Sequence, residues 1–161
     1  MGRELATRTE RAAPADQAPA LALARKVYTV LVRESGDAGS RIVLADLDLR
    51  AGDAAAARAL YEEVLKTDGA SAEALRGAAR AAAAQGDRAH ALAYWRSVLD
   101  ASPPGGTAWY EARVAQVTLL AEDGQKAQAC ELLRAARGRA TSAGGDQLEA
   151  RLRAMEPRVC E

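Results

Sequence analysis

The chain has 161 residues, with 22 basic and 22 acidic side chains and therefore a formal net charge of zero. That length suits one domain able to bury a sizeable core. The charge balance argues against a nucleic-acid or anionic-membrane surface, because those affinities rest on clustered excess Lys and Arg. Apolar residues make up 49% of the chain, but Ala is the commonest of them, aromatics are scarce and Phe is absent. Ala is the best helix former and contributes little buried area, so the composition favours closely packed helices over sheets.

In chain order, residues 1–15 mix Arg, Glu, Ala and Pro14 without sustained apolar spacing, which predicts a disordered N-terminal segment. Glu4 and Glu10 stand where a secretory signal would need an uncharged apolar run. Leu21 to Val32 is the longest strongly apolar stretch; Arg25 and Lys26 interrupt it, and it is too short to span a bilayer. With neither a signal nor a spanning segment, the expected compartment is the cytoplasm. Cys130 and Cys160 lie far apart in sequence and form no CxxC pair, so two free thiols are expected, a single disulfide being the alternative.

From residue 38 onward the apolar and small residues recur at steps of three and four, as in Leu44, Leu47, Ala57, Tyr61, Val64 and Leu65. Gly52 and Gly86 suit the left-handed ends of helices, while Asp53, Asp87, Ser71 and Thr107 suit N-caps. Glu62 and Lys66 are spaced for an i,i+4 pair. Pro103-Pro104 stops a helix before Thr107. Asp146 to Met155 carries Leu148, Leu152 and Met155 on one side, as a terminal capping helix would. Nothing alternates with period two, and the fold class predicted from the residues is all-α.

The helices repeat. Laying Gly52-Asp53 on Gly86-Asp87 places Ala57 on Ala91, Tyr61 on Trp95, Val64 on Val98 and Leu65 on Leu99. A further copy follows at Gly124, later than the same shift would put it, with Ala129, Leu133 and Ala136 at matching offsets. Ala24, Tyr28 and Leu31 repeat the same spacing upstream as a half copy. The four extra residues of the last copy amount to about 1.1 helical turns and predict a longer first helix that keeps its face. They also place Trp109 one turn before Arg113.

This helix-turn-helix unit, with its period of about 34 residues, resembles the tetratricopeptide repeat (TPR). The best copy carries Leu75, Ala79, Ala82, Gly86, Ala91, Trp95, Val98 and Pro103 at the signature positions, whereas Arg41, Asp48 and Arg113 depart from the pattern in the other copies. The resemblance implies a right-handed antiparallel helix-pair solenoid of about three TPR-like repeats. Its expected layout is a half repeat at 16–37, repeats at 38–71, 72–105 and 106–143, a capping helix at 144–156 and a tail at 157–161.

Candidates for chemistry are few. His90 is the single histidine, Cys130 reads as a small core filler, and neither has the partners of a triad or a metal site. Pro104-Gly105-Gly106-Thr107 lacks the spaced glycines and the Lys of a phosphate loop. No enzyme, cofactor or metal is therefore expected. The TPR resemblance implies instead a concave face lined by first helices, and with it a protein or peptide partner. On that face it places Gly39, Ile42, Asp46, Leu49 and Arg50, then Glu73, Arg76, Arg80 and Ala83, then Glu111, Val114, Thr118 and Ala121. Arg50, Arg76 and Arg80 offer forked donors to a carboxylate, or alternatively pair with Asp46, Glu73 and Glu111. Trp109 and Tyr110 are either packing residues or an aromatic platform at one end of the groove. The Lys and Asn pattern that resembles chaperone-tail readers is missing, since Ile42, Asp46 and Arg76 stand there and the chain has no Asn. The expected function is a non-enzymatic protein–protein interaction module, adaptor or scaffold, with self-association into a homo-oligomer, or service as one domain of a longer protein, as alternatives.

Overall fold

The computed structural model describes residues 14–140 and 143–161. The expectation of disorder for residues 1–15 therefore falls largely outside the described residues, and Pro14 and Ala15 already belong to the first helix. Among the described residues there are eight helices and no strand: α1 (Pro14–Ser35), α2 (Ala38–Arg50), α3 (Ala54–Thr67), α4 (Ala72–Ala84), α5 (Arg88–Asp100), α6 (Thr107–Glu122), α7 (Lys126–Ala136) and α8 (Ala143–Cys160). None of them is long and apolar enough to cross a membrane. The chain divides into two compact units, Met1–Asp87 and Arg88–Glu161.

In the first unit, α1 lays Ala24 and Tyr28 on Leu44 and Leu47 of α2, with Leu31, Val43 and Leu60 packed around them. Asp48 is buried, and Arg25 of α1 donates to it at 2.6 Å. The departure from the repeat pattern at Asp48 is thus an ion pair that fastens the half repeat. Arg41, the other departure, reaches Glu63 at 3.2 Å. Gly52 at φ 85° ends α2, and the Asp53 side chain accepts from the Ala56 amide at 3.1 Å, capping α3. Glu62 takes its hydrogen bond from Arg58, one turn earlier, at 2.7 Å, and Arg58 also reaches Asp87 at 2.7 Å. In α4 the side chains of Ala74, Ala78, Ala79, Ala81 and Ala82 are all buried, and this small-residue surface lets α3 come close.

In the second unit, α6 has 16 residues against 13 in α2 and in α4, the lengthening expected from the insertion. Thr107 does not cap it. Gly106 takes the N-cap position without a side-chain bond, and Thr107 lies against Gly144 of α8. Trp109, Tyr110, Val114, Val117 and Leu120 of α6 share one core with Ala129 and Leu133 of α7 and Leu152 and Val159 of α8. The C-terminal helix runs past the expected end at 156, through Pro157, to Cys160. There Cys160 is bonded to Cys130, with the two Cα atoms 5.0 Å apart, and no free cysteine remains. The free-thiol expectation is overturned because α8 lies along α7. Two cysteines distant in sequence become neighbours across two packed helices.

Candidate functional site

The first helices of the first unit bring several expected groove residues together. Ile42 and Asp46 of α2 and Arg76 and Arg80 of α4 line one cleft of about 100 Å³, joined by Glu73 and Gly77. The spacing explains the convergence: residues 73, 76 and 80 form an i, i+3, i+7 stripe on α4, and residues 42 and 46 lie one turn apart on α2. Leu49 is half-buried and Arg50 exposed. Neither lines the cleft, but the Arg50 charge acts on the Tyr61 phenol behind it.

Two of the lining residues, Asp46 and Gly77, are in contact with Tyr61, which is fully buried. Tyr61 belongs to α3, which packs against both α2 and α4, and its ring lies against Gly77, where an added Cβ would stand 2.3 Å from the ring carbons. Its hydroxyl donates to the Asp46 carboxylate. Burial, then the hydrogen bond and charge of Asp46, push the Tyr61 phenol well above its ordinary range, with Arg80 and Arg50 opposing. The phenol therefore stays a neutral donor. Two signals in the sequence point this way: a Tyr whose polar tip must find a partner when buried, and a lone Gly in a helix otherwise rich in Ala.

The cleft offers acceptors at Asp46 and Glu73 beside forked donors at Arg76 and Arg80. Such a set suits hydrogen bonding to a polar chain carrying a carboxylate. Among the described residues no group of three or more His, Cys, Asp or Glu is placed to hold a metal ion.

In the second unit the expected groove residues are placed differently. Val114 is only 4% exposed and packs in the core, because α5, α7 and α8 all lie against α6. Thr118 is half-buried, and its hydroxyl donates to the Val114 carbonyl at 2.8 Å. Trp109 (6% exposed) and Tyr110 (0%) are likewise interior, meeting edge to face at 5.0 Å between ring centroids. They pack as core residues, and no open aromatic platform forms. The Tyr110 hydroxyl lies 2.7 Å from the Ala136 carbonyl and 2.8 Å from Glu149, and burial together with Glu149 raises its pKa.

No protein-family model matches this sequence, and no curated protein matches it. Among solved structures the chain is similar to a thermophilic TPR protein of Thermus thermophilus, with a TM-score of 0.66 and 14% identity over 98% of this chain and 84% of that one. At that identity the likeness is one of fold, and it agrees with the repeated helix pairs and their glycine turns: the chain has the all-helical tetratricopeptide-repeat fold.

Proposed function

We propose that the protein is a non-enzymatic interaction module, an adaptor or scaffold that takes a segment of a partner protein on the first-helix face of α2 and α4. The observation that carries this reading is the convergence of Asp46, Glu73, Arg76 and Arg80 in one cleft, with Asp46 held from behind by the Tyr61 hydroxyl. Ile42 supplies an apolar wall, and Leu49 and Arg50 extend the face along α2. The partner's matching feature is a polar or acidic side chain, or a terminal carboxylate. Arg76 and Arg80 meet it as forked donors. The Arg76→Ala/Arg80→Ala double variant is expected to keep full helicity and to lose partner affinity by at least tenfold, the scale of a few charge-assisted hydrogen bonds. Isothermal titration with the captured partner checks this, and unchanged affinity refutes the cleft assignment. Given Cys130–Cys160, an oxidising compartment suits the chain better than the cytoplasm that the sequence suggests.

A second reading, self-association, rests on α1. Leu23 and Val30 are 56% and 48% exposed and stand two turns apart, on one face of that helix. A mass by light scattering that does not change with concentration removes it.

A further inference from the structure

A second cleft, of about 370 Å³, lies wholly within the second unit and shares no residue with the α2/α4 site. Three helical stripes build it, from α5, from α6, and from the start of α7 with the residue before it. Leu92, Leu99, Leu120 and Leu132 give it apolar walls; Arg96, Arg113 and three glutamines supply every polar group. No carboxylate lines it, in a chain whose acids and bases are equal in number.

Arg113 is the informative residue. Its guanidinium stacks over the Trp109 ring with Cζ 5.0 Å from the centroid, and Nη1 donates to Gln116 at 3.1 Å. Its Nε is buried and has no hydrogen-bond partner, and among the described residues it forms no ion pair. Burial, then the like charge of Arg139, press its pKa down. A half-buried cation without a counter-charge opposes folding, and an apolar side chain of similar volume at such a place is often neutral or stabilising. Trp109 and Gln116 hold the guanidinium without neutralising it, and its place on an open, leucine-lined cleft leaves room for a group that would.

We propose that this cleft is a docking site for an acidic–apolar segment of a partner protein, in which one Asp or Glu pairs with Arg113 and the flanking leucine-like side chains fill the apolar walls. The volume is of the size of a pocket for a few side chains. The glutamine amides, each both donor and acceptor, suit the backbone of such a segment. Arg96, exposed at the rim, adds a second cation that steers the same charge.

The test is selection of displayed random heptapeptides on the full, disulfide-bonded chain, followed by anisotropy titration of the labelled consensus peptide. The expected consensus has an Asp or Glu flanked by Leu, Ile or Met. The peptide should lose at least tenfold in affinity when its acid is changed to the amide, and at least tenfold on Arg113→Met. It should weaken less on Arg96→Glu and stay unchanged on Arg76→Ala/Arg80→Ala. The Arg113→Met variant should also melt no lower than the parent, which a structural role for Arg113 would not allow. A consensus without an acid, equal binding to Arg113→Met, or no selectable peptide overturns the proposal. Loss of binding on Arg76→Ala/Arg80→Ala alone moves the peptide to the α2/α4 cleft and also overturns it. Binding of decanoate in place of any peptide makes the site one for a lipid-like anion and refutes the assigned occupant.

Discussion

Glu149 is buried beneath α6, where its two oxygens hold three partners. Oε1 accepts from the Gly138 amide at 2.9 Å and from the Arg153 guanidinium, and Oε2 accepts from the Tyr110 hydroxyl. The Gly138 amide first, then Tyr110 and Arg153, hold the carboxyl at about 2, below its ordinary 4.5. A carboxylate with a depressed folded pKa adds stability that is fully present above 4.5 and is lost as the pH falls toward 2. Asp37, which accepts from Ser35 and Ser40, is shifted in the same direction. Acidification through that window should therefore loosen α8 from α6, and Glu149→Gln should make the helicity loss over it shallower. Parallel acid transitions by circular dichroism for parent and variant would contradict this role. The pairing of Tyr110 with Glu149 could not be assigned from sequence. They are 39 residues apart, and nothing in a local period signals that a buried hydroxyl will meet a carboxylate on a later helix.

Between elements, α3 and α4 meet tightly at Gly77, against which the Tyr61 ring lies. Replacing Gly77 with Ala gains about 1 kcal/mol in helix propensity. The new Cβ would stand 2.3 Å from a fully buried ring, and overpacking of this kind costs roughly 1–3 kcal/mol, occasionally more. The ring is fully buried and pinned at its hydroxyl by Asp46, so the upper end applies. The Gly77→Ala variant should be less stable by about 1–2 kcal/mol net of the propensity gain. A urea midpoint above that of the parent would show that α4 can shift outward. Element boundaries are largely legible, because Gly52, Gly86, Asp53 and Ser71 carry chemistry that only helix ends require. The end of the C-terminal helix is not. A tail is expected from residue 157, yet the helix continues through Pro157 to Cys160. A proline near a helix end sacrifices few backbone bonds, and Cys160 ties that last turn to α7.

For the whole molecule, the repeated fold makes stability local. Stacked helix pairs contribute nearest-neighbour terms rather than one shared core, so a perturbation weakens its own stretch first. The repeat period announces that property in the sequence. The disulfide has no such signal, because its pairing depends on how α8 returns along α7. Cross-linking across a sequence separation of 30 restricts the unfolded chain by about 3–4 kcal/mol in the loop-entropy account. The Cys130→Ser/Cys160→Ser variant, or reduction of the parent, should therefore lose hydrogen-exchange protection of that order in α7 and α8. Protection in α1 to α4 should be unchanged, since that unit has its own core of Ala24, Tyr28, Leu44 and Leu47. A uniform fall from α1 to α8 would instead mean that the two units unfold as a single cooperative body. No fall anywhere would mean that α8 is held by its apolar face and the Glu149 hydrogen bonds alone. Because the second-unit cleft is walled partly by α7, the local outcome makes a further demand: reduction should weaken the acidic–apolar peptide at Arg113 while leaving the α2/α4 face at full affinity.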